Sequence, residues 1–117
     1  MNEKELLKRT KDFALRVMNL VNSLPDTGPG RSVGNQLLRS GTSVAANYRA
    51  ACRGRSRAEF VAKLGIVEEE ADETCFWLEM IIESKLMEER LISGLLVESR
   101  EITAITASSR KTAKSRS

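Results

Sequence analysis

Phe13, Val17, Leu20 and Leu24 follow one another at steps of four, three and four, the spacing that gathers apolar side chains on one face of an α-helix. Asn2 stands three residues before Glu5, so its side chain can accept from a free amide of the first turn while the acid reaches back. Pro25 disfavours helix at the residue before it, and the pattern predicts a first helix over residues 3–23. The segment "PDTGPGRS" is the only one dense in proline and glycine and reads as a connection. Beyond it, Val33, Leu37, Val44, Tyr48 and Ala51 outline the inner side of a second helix, 30–53, closed by Gly54 in a left-handed conformation. Ser56 and Glu59 form another capping box immediately afterwards, so a third helix, 57–84, must fold back antiparallel on the second.

The third helix carries the longest seam, in which Phe60, Leu64, Val67, Ala71, Thr74, Leu78 and Ile81 alternate steps of four and three. A second apolar line of Val61, Cys75 and Ile82, with Trp77 and Met80 beyond it, makes its apolar surface wider than one neighbour needs. A fourth helix over 88–108, with Ser84, Glu88 or Ser93 as its start, has Leu91, Leu95, Ile102 and Ile105 on its inner face. The closing "SSRKTAKSRS" has no large apolar residue, and residues 108–117 are expected to form a basic, frayed or disordered tail. No run alternates with period two as a strand would. The fold class is therefore all-α, an antiparallel up-down-up-down four-helix bundle, with a single domain over residues 1–107.

Composition narrows the function. At 117 residues, with 41% hydrophobic and 30% charged residues, the chain suits one amphipathic helical domain. It has no apolar run near the roughly 20 residues that cross a bilayer, and its charged N-terminus has no signal-peptide core; the expected location is the cytoplasm, without membrane attachment. Without histidine, neither a histidine-activated nucleophile nor a histidine acid/base pair can be built within the chain, and Cys52 and Cys75 are too few for a zinc site. In the hairpin the two cysteines differ in height by about 20 Å, beyond the reach of a disulfide, so both read as small buried hydrophobes. No cofactor and no metal are expected.

Three constellations remain. "SGTS", Ser40–Ser43, lacks the strand-flanked glycine and lysine frame of a phosphate loop; with Gly34, Ala45 and Ala46 it reads as a helix surface thinned for close packing, with Asn47 in need of a partner. In "EEEADE", Glu69, Asp72 and Glu73 share a helix face and are the candidate acids of a metal-assisted nucleotide hydrolase, although no other helix offers a matching set. Equal distance from the hairpin turn places Arg39 opposite these acids, making Arg39, Glu69 and Glu73 candidate structural ion pairs, with Glu70 within the same reach; Arg31 falls opposite Glu79. The third constellation is electrostatic. Arg31, Arg39, Arg49, Arg53, Arg55, Arg57 and Lys63 face one acid, Glu59, between positions 31 and 63, after which the sign reverses. Arg49, Arg53, Arg55 and Arg57 with Lys63 thus form a candidate nucleic-acid-binding cluster at one end of the bundle, suited to phosphate but without aromatic residues to stack bases.

Leu37–Ile81, "LLRSGTSVAANYRAACRGRSRAEFVAKLGIVEEEADETCFWLEMI", closely resembles the central helices of the four-helix-bundle proteins associated with 23S ribosomal RNA intervening sequences. The shared elements are L-x-R-S-G-T-S-V-A-A-N-Y-R, the S-R-x-E-F opening of the third helix and E-E-A-D-E-T-x-x-W-L; the first helix and Ile105–Ser109 agree more loosely. The resemblance implies a small bacterial bundle that assembles as a homopentamer, in a family without an established biochemical function. Related accessory proteins of diversity-generating retroelements bind nucleic acid and a reverse transcriptase through basic surface. The formal net charge of +3 here is modest beside the most basic relatives. Val61, Trp77 and Met80 are the candidate oligomer interface. The expected function is a non-enzymatic homo-oligomeric scaffold or adaptor that contacts RNA or DNA backbone. The alternatives are a protein–protein adaptor without nucleic acid and the carboxylate-metal hydrolase.

Overall fold

The computed structural model describes residues 1–116; Ser117, the end of the predicted tail, lies outside the described residues. Four helices, α1 (Glu3–Asn22), α2 (Gly28–Cys52), α3 (Arg57–Glu83) and α4 (Glu89–Ser115), run up, down, up and down in a bundle of 47 × 20 × 19 Å. Each helix packs on the next, and α1 closes the circle against α4 more thinly than any other pair. The fully buried Phe13, Val17, Leu37, Val44, Leu64, Val67, Leu78, Ile81, Ile92 and Ile102 form one core fed by all four helices.

The caps follow the predicted chemistry. Asn2 accepts from the Glu5 amide at 2.8 Å, and Ser56 accepts from the Glu59 amide at 3.1 Å. Thr27 caps α2 by accepting from Gly30, which starts that helix at Gly28 rather than residue 30. Gly54 departs from expectation, since no glycine among the described residues has positive φ. Its lack of a side chain serves space instead, because a Cβ there would lie 3.1 Å from the Ala51 carbonyl oxygen and 3.4 Å from the Phe60 nitrogen. The left-handed residue is Lys85 (φ 60°), where α3 gives way to the last connection.

Helix α4 also corrects the sequence reading. It begins at Glu89 and runs to Ser115, so positions 108–115 are helical rather than frayed. Contacts with α3 supply the reason. Arg57, at its first turn, donates to the Ala113 carbonyl at 3.3 Å, Arg110 pairs with Glu68 at 3.0 Å, and Ala113 is buried. Leu91, expected inside, is 49% exposed, and Ile92, Leu95 and Leu96 take the inner face. Two buried hydroxyls bond across helices: Thr74 donates to Ser40 at 3.0 Å, and Ser99 donates to the Ala71 carbonyl at 2.9 Å. Cys52 and Cys75 are both free thiols.

The thin α1–α4 seam is clamped by Arg9, whose guanidinium bonds Glu98 through two nitrogens (2.7 and 2.6 Å) and Glu101 at 2.6 Å. The hydrogen bond from Arg9 holds the Glu98 carboxyl below its usual range, against the opposing effect of burial. A carboxylate depressed in the folded state stabilises above its unfolded value of about 4.3 and loses that contribution as pH falls through the folded value. Arg9→Met should therefore cost about 1 kcal/mol at neutral pH. It should also flatten the acid limb of stability below about pH 4, which urea titrations at stepped pH would read; equal acid slopes in the two proteins would refute the clamp.

Candidate nucleic-acid interface

The α2–α3 hairpin turn, the start of α1 and the end of α4 share one end of the bundle. Arg49, at the last turn of α2, and Arg53, its C-cap, are exposed, as are Arg55 in the turn and Arg57 at the start of α3. Lys63 lies further up α3 and is half-buried. Among the described residues none of these five cations forms an ion pair. The nearest acid in sequence, Glu59, is engaged otherwise, accepting from the Arg55 backbone amide at 2.7 Å. Glu68 is taken by Arg110. Glu59 thus bonds the backbone rather than an arginine side chain, and the arginines of the turn face water. Arg49 and Arg53 also rim a groove of about 570 Å³ between α1 and α2, with Leu7, Lys11, Ala45 and Ala46 along it. Lys4 and Lys111, exposed at the same end, add charge to the cluster from helices that are remote from the turn in sequence.

Cys52 sits between Tyr48 and Glu3 beside this end. Burial pushes the Cys52 thiol up, a Tyr48 hydrogen bond opposes that, and Glu3 reinforces it, so the sulfur stays protonated at neutral pH rather than acting as a thiolate.

The other predicted residues occupy a different face. Arg39 pairs with Glu70 at 3.0 Å and with Glu73, while Glu69 is exposed and outside the pair; Glu70 replaces Glu69 because it lies on the α2-facing side of α3. Glu73 also accepts from Trp77 Nε1 at 3.0 Å. Arg31 bonds Asp26 at 2.9 Å, and Glu79 meets Arg100 at 3.6 Å, so those two do not meet across the hairpin. Glu69, Asp72 and Glu73 do not converge: among the described residues no three acidic or thiol side chains gather as a metal site would require. Asn47 donates to the carbonyl and hydroxyl oxygens of Ser43, which satisfies it within its own helix.

Of the candidate interface residues, Val61 and Trp77 are half-buried and Met80 is 38% exposed. Phe76, its ring edge-on to Trp77 at 4.8 Å, is 50% exposed and was not among them. Glu69, Glu73, Phe76, Met80 and Glu83 make an outer stripe of acids and apolar groups on α3 at helical spacing. On α1 the outer stripe of Lys4, Lys11, Leu15 and Met18 is basic and apolar, and on α2 Leu38, Thr42 and Ala45 form a strip without charge.

No helix among the described residues is long and apolar enough to cross a membrane. A family model described as "23S rRNA-intervening sequence protein" matches residues 2–108. The chain is also similar to a solved structure from Bacteroides thetaiotaomicron VPI-5482, a protein of unknown function from the S23 ribosomal protein family, with 34% identity, 95% of this chain and 99% of that chain covered, and a TM-score of 0.87. No match was found among curated proteins.

Proposed function

The chain belongs to the 23S rRNA-intervening sequence protein family, and we propose that it is a non-enzymatic, homo-oligomeric scaffold or adaptor that contacts RNA or DNA backbone through its arginine end. The observation that carries this reading is the set of cations, Arg49, Arg53, Arg55, Arg57 and Lys63, left without acidic partners while nearby acids are engaged elsewhere. Guanidinium groups on a rigid helix turn suit bidentate phosphate contact.

Oligomerisation is proposed from charge and shape together. The acidic-apolar stripe of α3 complements the basic-apolar stripe of α1 and the uncharged strip of α2, and the two surfaces are different parts of one molecule. Contacts of that kind run head to tail and close into a ring when the rotation allows, in keeping with the five-membered assembly that the family resemblance implies.

The test is titration of a labelled RNA and a labelled DNA across salt. Affinity should fall linearly on a log–log plot, and Arg53→Ala with Arg55→Ala should weaken binding roughly tenfold and reduce the salt slope by about one to two contacts. No affinity for either polymer, or a variant indistinguishable from the parent, would sink the reading. Partner capture that survives nuclease treatment with no direct binding to the purified protein would instead make the arginine end a dock for an acidic protein.

A further inference from the structure

A cavity of about 580 Å³ opens at the arginine end, between the start of α1, the hairpin turn and the last turns of α4. Its size lies within the roughly 300–1,000 Å³ of small-ligand sites. Two arginines line it, Arg57 from α3 and Arg116 from the cap of α4. Arg57 donates to the Ala113 carbonyl, which meets the negative end of the α4 dipole and fixes the side chain at the wall. Arg116 forms no ion pair among the described residues.

The hydroxyls on α4 near this end differ in their bonding from those further back. Thr103 and Thr106 bond back to carbonyls of their own helix, at 2.8 and 2.7 Å. Ser108, Ser109 and Thr112 line the cavity, and among the described residues their hydroxyls make no intramolecular bond. One carboxylate, Glu3, lines the same cavity, together with the apolar Ala51 and Phe60. An anion alone would meet repulsion from Glu3. A ligand that pairs a phosphate with hydroxyl or amino donors and a flat apolar body satisfies every part of the lining: guanidiniums on phosphate, Glu3 on the donors, and the ring near Phe60.

We infer that this cavity binds a nucleoside 5′-monophosphate, either as a free nucleotide or as the 5′-terminal residue of a nucleic acid. The inference rests on the reading of the arginine end above in taking phosphate as the charged group, but it concerns a cavity closed by the last turns of α4 rather than the exposed cluster of Arg49, Arg53 and Arg55.

The intact protein is titrated calorimetrically with adenosine 5′-monophosphate, adenosine and inorganic phosphate. A short RNA carrying a 5′-phosphate is compared with its 5′-hydroxyl twin by anisotropy. The monophosphate is expected to bind at least about tenfold more tightly than adenosine or inorganic phosphate, the scale of a charge-assisted contact. Arg116→Ala should remove most of that difference, and Thr112→Val should weaken the monophosphate several-fold. Both positions are exposed, so these variants keep the fold even if Arg57→Ala, which releases Ala113, does not. Arg53→Ala should leave monophosphate binding unchanged while weakening long RNA, which separates this inference from the backbone reading. A tenfold gain from the RNA 5′-phosphate marks a chain end as the source; binding of the free nucleotide without that gain marks a metabolite, and both support the site. Equal binding of adenosine and its monophosphate, inorganic phosphate as tight as the nucleotide, no binding at millimolar concentration, or a preference that survives Arg116→Ala would overturn it.

Discussion

Replacing Gly41 with leucine is expected to lower the unfolding free energy by roughly 3 kcal/mol, even after about 1 kcal/mol is gained in helix propensity. At Gly41 a Cβ alone would lie 2.8 Å from both methyl carbons of Val17, closer than side chains tolerate. Val17 is fully buried and branched at Cβ, so it has no low-energy rotamer to retreat into. The remaining leucine atoms would have to force α1 and α2 apart, and Gly34, where a Cβ would lie 3.3 Å from Leu24, sits on the same contact. Urea unfolding of Gly41→Leu, Gly41→Ala and the double variant Gly41→Ala with Val17→Ala checks the cause. Space made at Val17 should recover part of what Gly41→Ala loses, a coupling that remote effects would not produce. Gly28→Ala, with nothing within 4 Å of its Cβ, is the neutral comparison. If Gly41→Leu unfolds at the parent's midpoint, the small residues of α2 are not a packing device.

That contact shows what was legible in the residues. "SGTSVAAN" reads as a thinned surface because glycine inside a helix needs a compensating approach, and Gly41 against Val17 supplies it. The α3 seam was equally plain, since a period of four and three over Phe60–Ile81 has no other economical packing. The Arg9 clamp left no such trace. Its partner Glu98 is 89 residues away, and only the closing of α1 on α4 brings the two together. The end of α4 was hidden for a related reason. Its burial comes through Ala113 and through polar contacts at Arg110 and Arg57, which carry little hydrophobic periodicity. That omission mattered for the candidate site, because the same turns wall the cavity at the arginine end. In "CFWL" every residue is apolar or small, so the pattern offered no basis for choosing Phe76 over Trp77 as the outward ring; the Glu73 carboxylate that accepts from Trp77 Nε1 settles the choice.

Phe76 is where the assembly reading is most exposed to test. Phe76→Lys is expected to convert the oligomer to a monomer, read by light scattering behind a sizing column at micromolar concentration. The substitution removes a half-exposed aromatic ring whose burial in each contact contributes roughly 1–2 kcal/mol. It also sets a cation within the acidic stripe, where it would meet Lys11 of the next copy. Every contact in a head-to-tail ring is the same contact, so one change weakens all of them at once. Met18→Glu attacks the opposite surface, placing an acid where the α3 stripe of a neighbour would dock, and should have the same outcome. Charge reversal then tests the pairing. Lys11→Glu and Glu69→Lys should each weaken assembly, and the double variant should regain it, because a matched pair is restored while each single change leaves like charges opposed. These positions are exposed in the single chain, so far-ultraviolet dichroism and the urea midpoint should stay near the parent values. A parent that elutes as a monomer, or a Phe76→Lys protein that keeps the parent's mass, would remove the α3 stripe from the assembly and leave the arginine end to act in a single bundle.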